Sequence, residues 1–515
     1  MEAAYEYKHR LYAMQLFFSS ISQMWRIGIL LFIAKLSNNS IFLVSFTGFI
    51  SSFSQFIFAP AIGKWVDGTD RLHIVQIALF VKTASVSFAY VLCLKLLEDT
   101  ASGLETFLFY ILPFLCAIAD LSYNTISISI EKDWVVSLAA NDSKWLSEVN
   151  SGMTMIDLSG ETLAPVVVTL LFSCVSLLAI SIILVLGNIL SCLGLLIYLR
   201  VLYFSRESLW ERMIPENVYN ANLNSSANDD SVKSKGSALY QGSLYLPRFW
   251  RIFLSSGCSL VMIAYSCLYL TVLSFGSVMT VFLLFNGMNM RSVGICRGLS
   301  AIVGYIGAAM FPHLRASFGL RRTGLIAIWY QCTLVACAAL TLLLATFSAQ
   351  VFVKPSSNVP PTLSPVYTFA ILVLSSRCGL WVFDLVARQI AQETIPEHIR
   401  GEVNGTWSSI TALFDFSAYG LSMLFNKQDQ FSILATISSL MILIAALSFT
   451  LSRATGTVVD FAPSIDSVTN SRGPPAEDDE GSLSHTKDAR EQSVLLLGTM
   501  SPLRSASQYT GNLTL

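Results

Sequence analysis

Charged side chains are what this sequence has least of. Of its 515 residues 13% are Asp, Glu, Lys or Arg and 54% are hydrophobic, and the mean hydropathy is +0.61. A soluble domain carries about 25% charged residues. This chain therefore has too few to cover a globular surface, and lipid must be the solvent for much of it. The net charge of −1 leaves no overall field to recruit nucleic acid. The ten cysteines include no CxxC pair, and most sit in apolar segments, where small polarizable residues pack. Neither a disulfide framework nor a zinc site is expected.

Histidine is scarce as well: His9, His73, His313, His398 and His485 all fall on the expected cytoplasmic side, His73 at the very start of a span and the others in polar segments. No imidazole is expected at the membrane midplane, although it is the commonest transition-metal ligand. A divalent metal held there would rest on carboxylate, Asn, Ser, backbone carbonyl or Cys. The sequence has no GxxxxGK[ST] loop, no HExxH and no nucleophile set beside its base. An enzyme is the least expected class, and no cofactor is expected. No short apolar stretch with a small-residue cleavage site opens the chain, so Leu11 to Ala34 reads as a retained first span rather than a signal peptide.

Long apolar runs are what the chain does have. A span needs about 20 mostly apolar residues. That rule predicts Tyr12–Ala34, Ile41–Gly63, Leu72–Leu94, Thr106–Ile128, Met153–Val175 and Leu177–Arg200, then Ile252–Phe285, Ser292–Pro312, Gly324–Phe347, Val366–Ala387, Val403–Phe425 and Gln430–Ser452. The expected fold class is an all-α membrane protein with twelve transmembrane helices in two six-helix halves, 12–204 and 247–452. Residues 1–11 form a polar N-terminal segment. The linker 205–246, with "NANLNSSANDDSVKSKGS", and the tail 453–515, with "GPPAEDDEGSLSHTKD", lack the apolar content to offset ordering entropy.

With the N terminus inside, the outer loops hold only Lys35, Lys95, Arg291, Lys354 and Lys427. The inner segments hold a larger basic set, including Lys8, Arg71, Lys132, Arg315, Arg321, Arg388 and Arg400. This bias places both termini in the cytoplasm, with the plasma membrane as the expected location and the lipid bilayer as the first partner. The sequon Asn38-Asn39-Ser40 then lies outside, close to the membrane. The seventh run exceeds one span by about 14 residues, so it must tilt, extend or break, and "SFGSV" at Ser274–Val278 is the natural break point. The inner loops "GKWVDGTDRLH" and "PHLRASFGLRRTGL" form a weak internal repeat in equivalent places of the two halves. Such a layout is that of a major facilitator transporter, with its substrate site near the midplane between the halves.

An ionised group at membrane depth costs about 2.5–3.5 kcal/mol even on a lenient scale, so each needs a partner or an aqueous cavity. The candidates are Arg26, Lys82, Asp120, Asp157, Glu161, Arg297, Arg377, Asp384 and Asp415, of which Arg26, Asp157, Glu161, Asp384 and Asp415 stand out. Two readings compete: ion pairs that only tie helices together, and a gate whose pairs break and reform between inward-open and outward-open states.

Several stretches, in order, carry a resemblance. "MWRIGILLFIAKLSNNSIFLVSFTGFISSFSQFIFAPAIGKWVDGTDRLHIVQ", "ISISIEKDWVVSLA", "MIDLSGETLAPVVV", "FGLRRTGLI" and "GLWVFDLVARQIAQETIPEHIRGEVNGTWSSI" resemble the ferroportins, solute carrier family 40, the iron exporters. The resemblance runs from about Leu11 to Ser452, leaving out the linker and the tail. It implies a carrier moving iron(II) or a related divalent metal by alternating access. It also implies an inner gate at Asp67 and Arg71 of the "WVDGTDR" loop, Asp133 and Trp134 of "KDW", Asp157, Asp384, and Arg400-Gly401.

The metal ligands depart from that pattern. Where the resemblance implies Asp and His in span one, this chain has Ser22 and Arg26. Where it implies an acidic-cysteine pair in a broken span seven and a His in span eleven, it has Gly276, Ser277 and Ala418. Of the implied ligands only Asn188 and Ser191 remain, so the substrate-binding candidates are Ser22, Arg26, Asn188, Ser191, Gly276 and Ser277. A fixed cation at 26 repels a metal by about 4 kcal/mol per unit charge pair at about 4 Å and a dielectric near 20, doubled for a dication. Arg26 is then paired with a carboxylate such as Asp157 or Glu161, or selects an anionic, chelated or organic substrate, or marks a carrier that has lost iron transport. A further alternative is a non-transporting receptor or scaffold whose tail meets cytoplasmic partners.

Overall fold

An apolar stripe along one helix shows how lipid and protein divide the surface. In the computed structural model, residues 177–204 form a single helix whose Leu178, Ile182, Leu186, Leu190, Leu193, Ile197, Val201 and Phe204 are exposed. Their spacing of three and four residues keeps them on one face. Ile180, Leu184, Asn188, Cys192, Leu195, Leu199 and Leu202 form the buried face. A soluble protein does not expose a stripe of this size; acyl chains match it.

The structure describes residues 2–36, 41–97, 103–205, 209, 248–271, 273, 277–347, 365–425 and 430–454, all within one compact unit, Met1–Asp460. Among them there is no strand. The helices are α1 (Glu2–Leu36), α2 (Ile41–Gly68), α3 (Arg71–Leu97), α4 (Gly103–Ser129), α5 (Val135–Ala139), α6 (Ser143–Cys174), α7 (Leu177–Phe204), α8 (Arg248–Ser255), α9 (Ser259–Cys267), α10 (Ser277–Phe285), α11 (Met290–Phe318), α12 (Leu320–Phe347), α13 (Pro365–Thr394), α14 (Arg400–Leu424) and α15 (Phe431–Ala454). A π-helical turn, Ile130–Trp134, joins α4 to α5, and a 3₁₀ turn, Glu397–Ile399, leads into α14. Ten of the described helices are long and apolar enough to cross a membrane, or eleven if the bent pair α8 and α9 counts as one span. Helix α14 is not among the ten, because its polar residues face helix α2 instead of lipid.

Buried apolar residues gather by chain order. Two clusters draw on residues 11–209, with Trp25, Phe32 and Tyr90 in one and Leu11, Phe18 and Trp134 in the other. A third draws on residues 253–449, with Phe253, Phe311, Phe369, Phe383 and Phe449, and takes Leu158 from helix α6. An N-terminal group (α1–α7) and a C-terminal group (α8–α15) result. They meet where α2 packs on α14 and where α6 packs on α11 and α13.

Two boundaries differ from expectation. Helix α1 begins at Glu2, not Tyr12, and its extra turns are pinned by a Tyr7 hydroxyl donating to the Ser205 carbonyl at 3.0 Å and by an ion pair between Lys8 and Glu148. The seventh run is three short helices, with a 102° bend between α8 and α9. At that bend Ser255 and Ser256 donate their hydroxyls to the carbonyls of Ile252 and Phe253, competing with the helical ladder just before Gly257. Of the expected break point, Ser277 opens α10, while Ser274 to Gly276 lie outside the described residues, as do nearly all of the linker and all of the tail from 455 on.

Candidate functional site

Charged residues from four segments converge at the end of the bundle that carries the α2–α3 loop. Arg71, at the start of α3, is 2% exposed and grips Asp133 with two donors: Nε to Oδ2 at 2.7 Å and Nη2 to Oδ1 at 3.1 Å. It also donates to Glu397 at 2.6 Å, to the Ser137 hydroxyl at 2.9 Å and to the Leu209 carbonyl at 3.2 Å. Arg400, at the start of α14, donates to the same Asp133 at 2.8 Å. Two guanidiniums and two carboxylates thus form a clasp between the groups. Fork-shaped, charge-assisted bonds of this kind are the strong class, and removing one partner leaves an uncompensated buried charge.

Asp67 adds a second tie. Its carboxylate, at the end of α2, accepts from the backbone N–H groups of Gly401 and Glu402, both at 2.7 Å. These are first-turn donors of α14 that no intrahelical carbonyl can satisfy, and an anion there also complements the helix dipole. Beside this tie the two helices touch backbone to backbone. A Cβ on Gly63 would lie 2.1 Å from the Gly401 carbonyl oxygen, and one on Gly405 would lie 2.4 Å from that of Ala59. Ala59 with Gly63 and Gly401 with Gly405 make the small-xxx-small pattern that allows such approach.

The π-helical turn places the next layer. One extra residue in the turn presents Glu131, Lys132 and Asp133 together toward the C-terminal group. Arg388 of α13 lies 3.2 Å from Asp384 and 3.6 Å from Glu131. Gln15 of α1 donates to Glu131 at 3.3 Å and to Asp157 at 2.8 Å, and the Lys132 ammonium lies over the Trp407 ring at 4.6 Å. Along α6 the seam begins with Ser143, bonded to Glu393 and Arg315, and continues with neutral groups: Ser147 to Gln389 at 2.7 Å, Asn150 to Gln392 at 2.6 Å and Ser151 to the Ala308 carbonyl at 2.6 Å. Trp134 reaches none of this. It is fully buried beside Tyr203 in the N-terminal core and serves as the packing support of the π turn.

Deeper in the bundle the same helix faces carry charge again. Arg26 follows Gln15 by eleven residues, Lys82 follows Arg71 by eleven, Arg377 precedes Arg388 by eleven and Asp120 precedes Glu131 by eleven. Eleven helical residues are about three turns and about 16 Å. Residues so spaced share a face, which sets these four at one level. The Arg26 guanidinium lies over the Tyr123 ring at 5.0 Å, and its charged neighbours include Asp120, Glu161, Lys82 and, across the interface, Asp415. Although central, the Arg26 side chain is exposed. Asp415 accepts from Ser52 at 2.9 Å.

Lys82, 3% exposed, occupies the place expected for metal. Its ammonium donates to Ser22 at 2.6 Å, lies over Phe18 at 4.6 Å, and lines a small cavity with Thr83, Asn188 and Ser191. Asn188 donates to the Thr83 carbonyl at 3.2 Å, and the Ser191 hydroxyl is buried without a hydrogen bond.

A family model described as Ferroportin1 (FPN1) matches residues 5–442. The chain belongs to the ferroportin family. Curated ferroportin relatives include solute carrier family 40 member 1 of Arabidopsis thaliana, 28% identical over 83% of this chain and 84% of that protein, and the ferroportin of Canis lupus familiaris, 24% identical over 81% and 86%. Among solved structures, a bacterial homologue of the iron transporter ferroportin in an outward-facing state matches with a TM-score of 0.71 at 22% identity, covering 87% of this chain and 99% of that one. A bacterial homologue in an inward-facing state matches with a TM-score of 0.55.

Within the ferroportin frame, the structure brings the gate candidates Asp67, Arg71, Asp133, Arg400 and Gly401 into one cluster, with Asp157 and Asp384 one layer deeper. Ser22, Asn188 and Ser191 come together around Lys82. Arg26 forms no ion pair with Asp157, which Gln15 holds instead. Gly276 lies outside the described residues; Ser277 opens α10. Among the described residues no three His, Cys, Asp or Glu side chains stand close enough to hold a metal ion. Sequence reasoning passed over Glu131, Arg388, Glu397 and the weight of Lys82. The eleven-residue interval was the signal that would have found Lys82.

Proposed function

We propose that this ferroportin-family chain is an alternating-access transporter, not an enzyme, that carries iron(II) or a related divalent metal out of the cytoplasm. In this reading the spans are twelve: six in α1–α7, with α4, the π turn and α5 as one, and six in α8–α15, with α8 to α10 as one broken span and α14 as another. Both termini face the cytoplasm of the plasma membrane, in keeping with the basic excess at the clasp end. The clasp is the inner gate, and the closed clasp fits the better match to the outward-facing homologue.

The observation that carries the reading is Asp133, bound at once by Arg71 of its own group and Arg400 of the other. Such a contact lasts only while the inner side is closed, so opening that side must break it. Binding in the space beside Arg26 and rocking about the seams account for why charge lines both levels. Purified chain in vesicles is expected to move radioactive cobalt faster than empty vesicles do, and Asp133→Asn is expected to abolish the difference. Equal rates for the intact chain and empty vesicles overturn the proposal.

A further inference from the structure

One contact between the groups has an image farther along the same two helices. Near the clasp, Arg315 of α11 donates to the Ser143 hydroxyl of α6. Farther from the clasp, Ser151 donates to the Ala308 carbonyl at 2.6 Å. From one contact to the next α6 advances eight residues and α11 retreats seven, so the two helices run antiparallel in step. Glu161 follows Ser143 by eighteen residues, and Arg297 precedes Arg315 by eighteen. Eighteen helical residues are about five whole turns and about 27 Å, which returns each side chain to the face it started from. Pro312 lies between the two arginines, but Ala308, beyond it, still meets α6. Arg297 is eleven residues on from Ala308, about three turns along that same face.

The seam between these helices is closed at one end and open at the other. Ser151, Leu158 and Ala308 are buried, whereas Glu161 and Thr162 of α6 and Arg297 of α11 are exposed. Among the described residues neither Glu161 nor Arg297 forms an ion pair, although the charged neighbours of Glu161 include Arg26 and Arg377. A lone ionised group within a span needs water or a partner. Two of opposite sign, in register on facing helices, become partners once the helices close. We propose that Glu161 and Arg297 form a second latch of the carrier: an ion pair that is parted while the clasp holds the inner side shut, and that forms when the clasp opens and the far halves of α6 and α11 come together beyond Ser151 and Ala308. A carboxylate and a guanidinium brought together out of water make a charge-assisted pair of the strong class. Its formation offsets the loss of Asp133 from Arg71 and Arg400, so one side gains an ion pair as the other gives one up.

The inference rests on reading the chain as an alternating-access carrier. It is tested on the full-length chain lacking the exposed Cys174 and Cys337. With Glu161→Cys and Arg297→Cys in place, a short bifunctional thiol reagent is expected to join α6 to α11 slowly while the clasp is intact and several-fold faster once Asp133→Asn has opened it. A second measurement keeps the acid and the base. In the Asp133→Asn chain carrying Thr162→Cys as reporter, an impermeant alkylating reagent is added from the side opposite the clasp. Glu161→Gln and Arg297→Gln are each expected to speed that alkylation by about 10- to 100-fold, the loss of a charged hydrogen-bonding partner. The double variant is expected to react no faster than either single one, because both remove the same interaction; unrelated damage to the fold would add. Cross-linking equally slow with the clasp intact and broken, or single effects that sum in the double variant, overturns the latch. Cobalt crossing vesicles without clasp-dependent cross-linking removes the latch and leaves metal export standing. Cross-linking that follows the clasp without cobalt movement keeps the latch and sinks the export reading.

Discussion

The clasp and the level of Arg26 and Lys82 lie about 16 Å apart on the same helix faces, and they use their cations differently. At the clasp, Arg71 spends its donors on Asp133, Glu397, Ser137 and Leu209. Deeper in the bundle, among the described residues, Arg26 and Arg377 form no ion pair, and Arg26 rests on the Tyr123 ring. Arg71 is spent on contacts that hold two surfaces shut, whereas Arg400 beside it keeps one buried donor, its Nε, without a partner. The difference also separates two kinds of mutation, those that loosen a closed state and those that alter what the space accepts.

The largest expected effect breaks the clasp. Asp133→Asn strands two buried guanidiniums and is expected to cost the closed state about 3–5 kcal/mol. The readout is alkylation, from the clasp side, of a cysteine placed at Asn124 in a chain lacking the exposed Cys174 and Cys337; an unchanged rate refutes it. Gly401→Val wedges α2 from α14 and is expected to cost about 1–3 kcal/mol, raising the same rate. Deeper in the bundle, Lys82→Met removes a buried positive charge and is expected to tighten the binding of a bare dication. Calorimetry with cobalt alone checks this, and the alkylation rate should not move. Asp67→Ala removes the cap of α14, at about 1 kcal/mol, and should give a small rise in alkylation. Smallest is Lys8→Ala, at about 0–1 kcal/mol because the Glu148 partner is partly exposed; thermal unfolding should barely change.

Much of this was legible in the residues. The predicted span Leu177–Arg200 starts where α7 starts and stops four residues short of Phe204, since apolar length is a strong local signal. Asp67, Arg71, Asp133 and Arg400 announce themselves as charges at the edges of apolar runs. The π turn was hidden, because one inserted residue leaves composition unchanged. So was the seam of Ser147, Asn150, Gln389 and Gln392, whose neutral amides and hydroxyls resemble ordinary helix residues until a partner is known. The bend at Ser256 was masked by strong apolar flanks that read as one run. For Arg26 the residues left Asp157 and Glu161 open as partners; Gln15 holds Asp157, and Glu161 stands among the neighbours of Arg26.

The meeting of Gly63 with Gly401 has a mechanical consequence. Surfaces that interlock through branched side chains must find their rotamers anew each time they rejoin, and that search slows and scatters the return. Here two bare peptide ridges lie against each other with nothing to interdigitate. They behave as a smooth bearing that parts and reseats in one register, so that the resistance to each cycle comes from the ions at the rim rather than from the faces themselves.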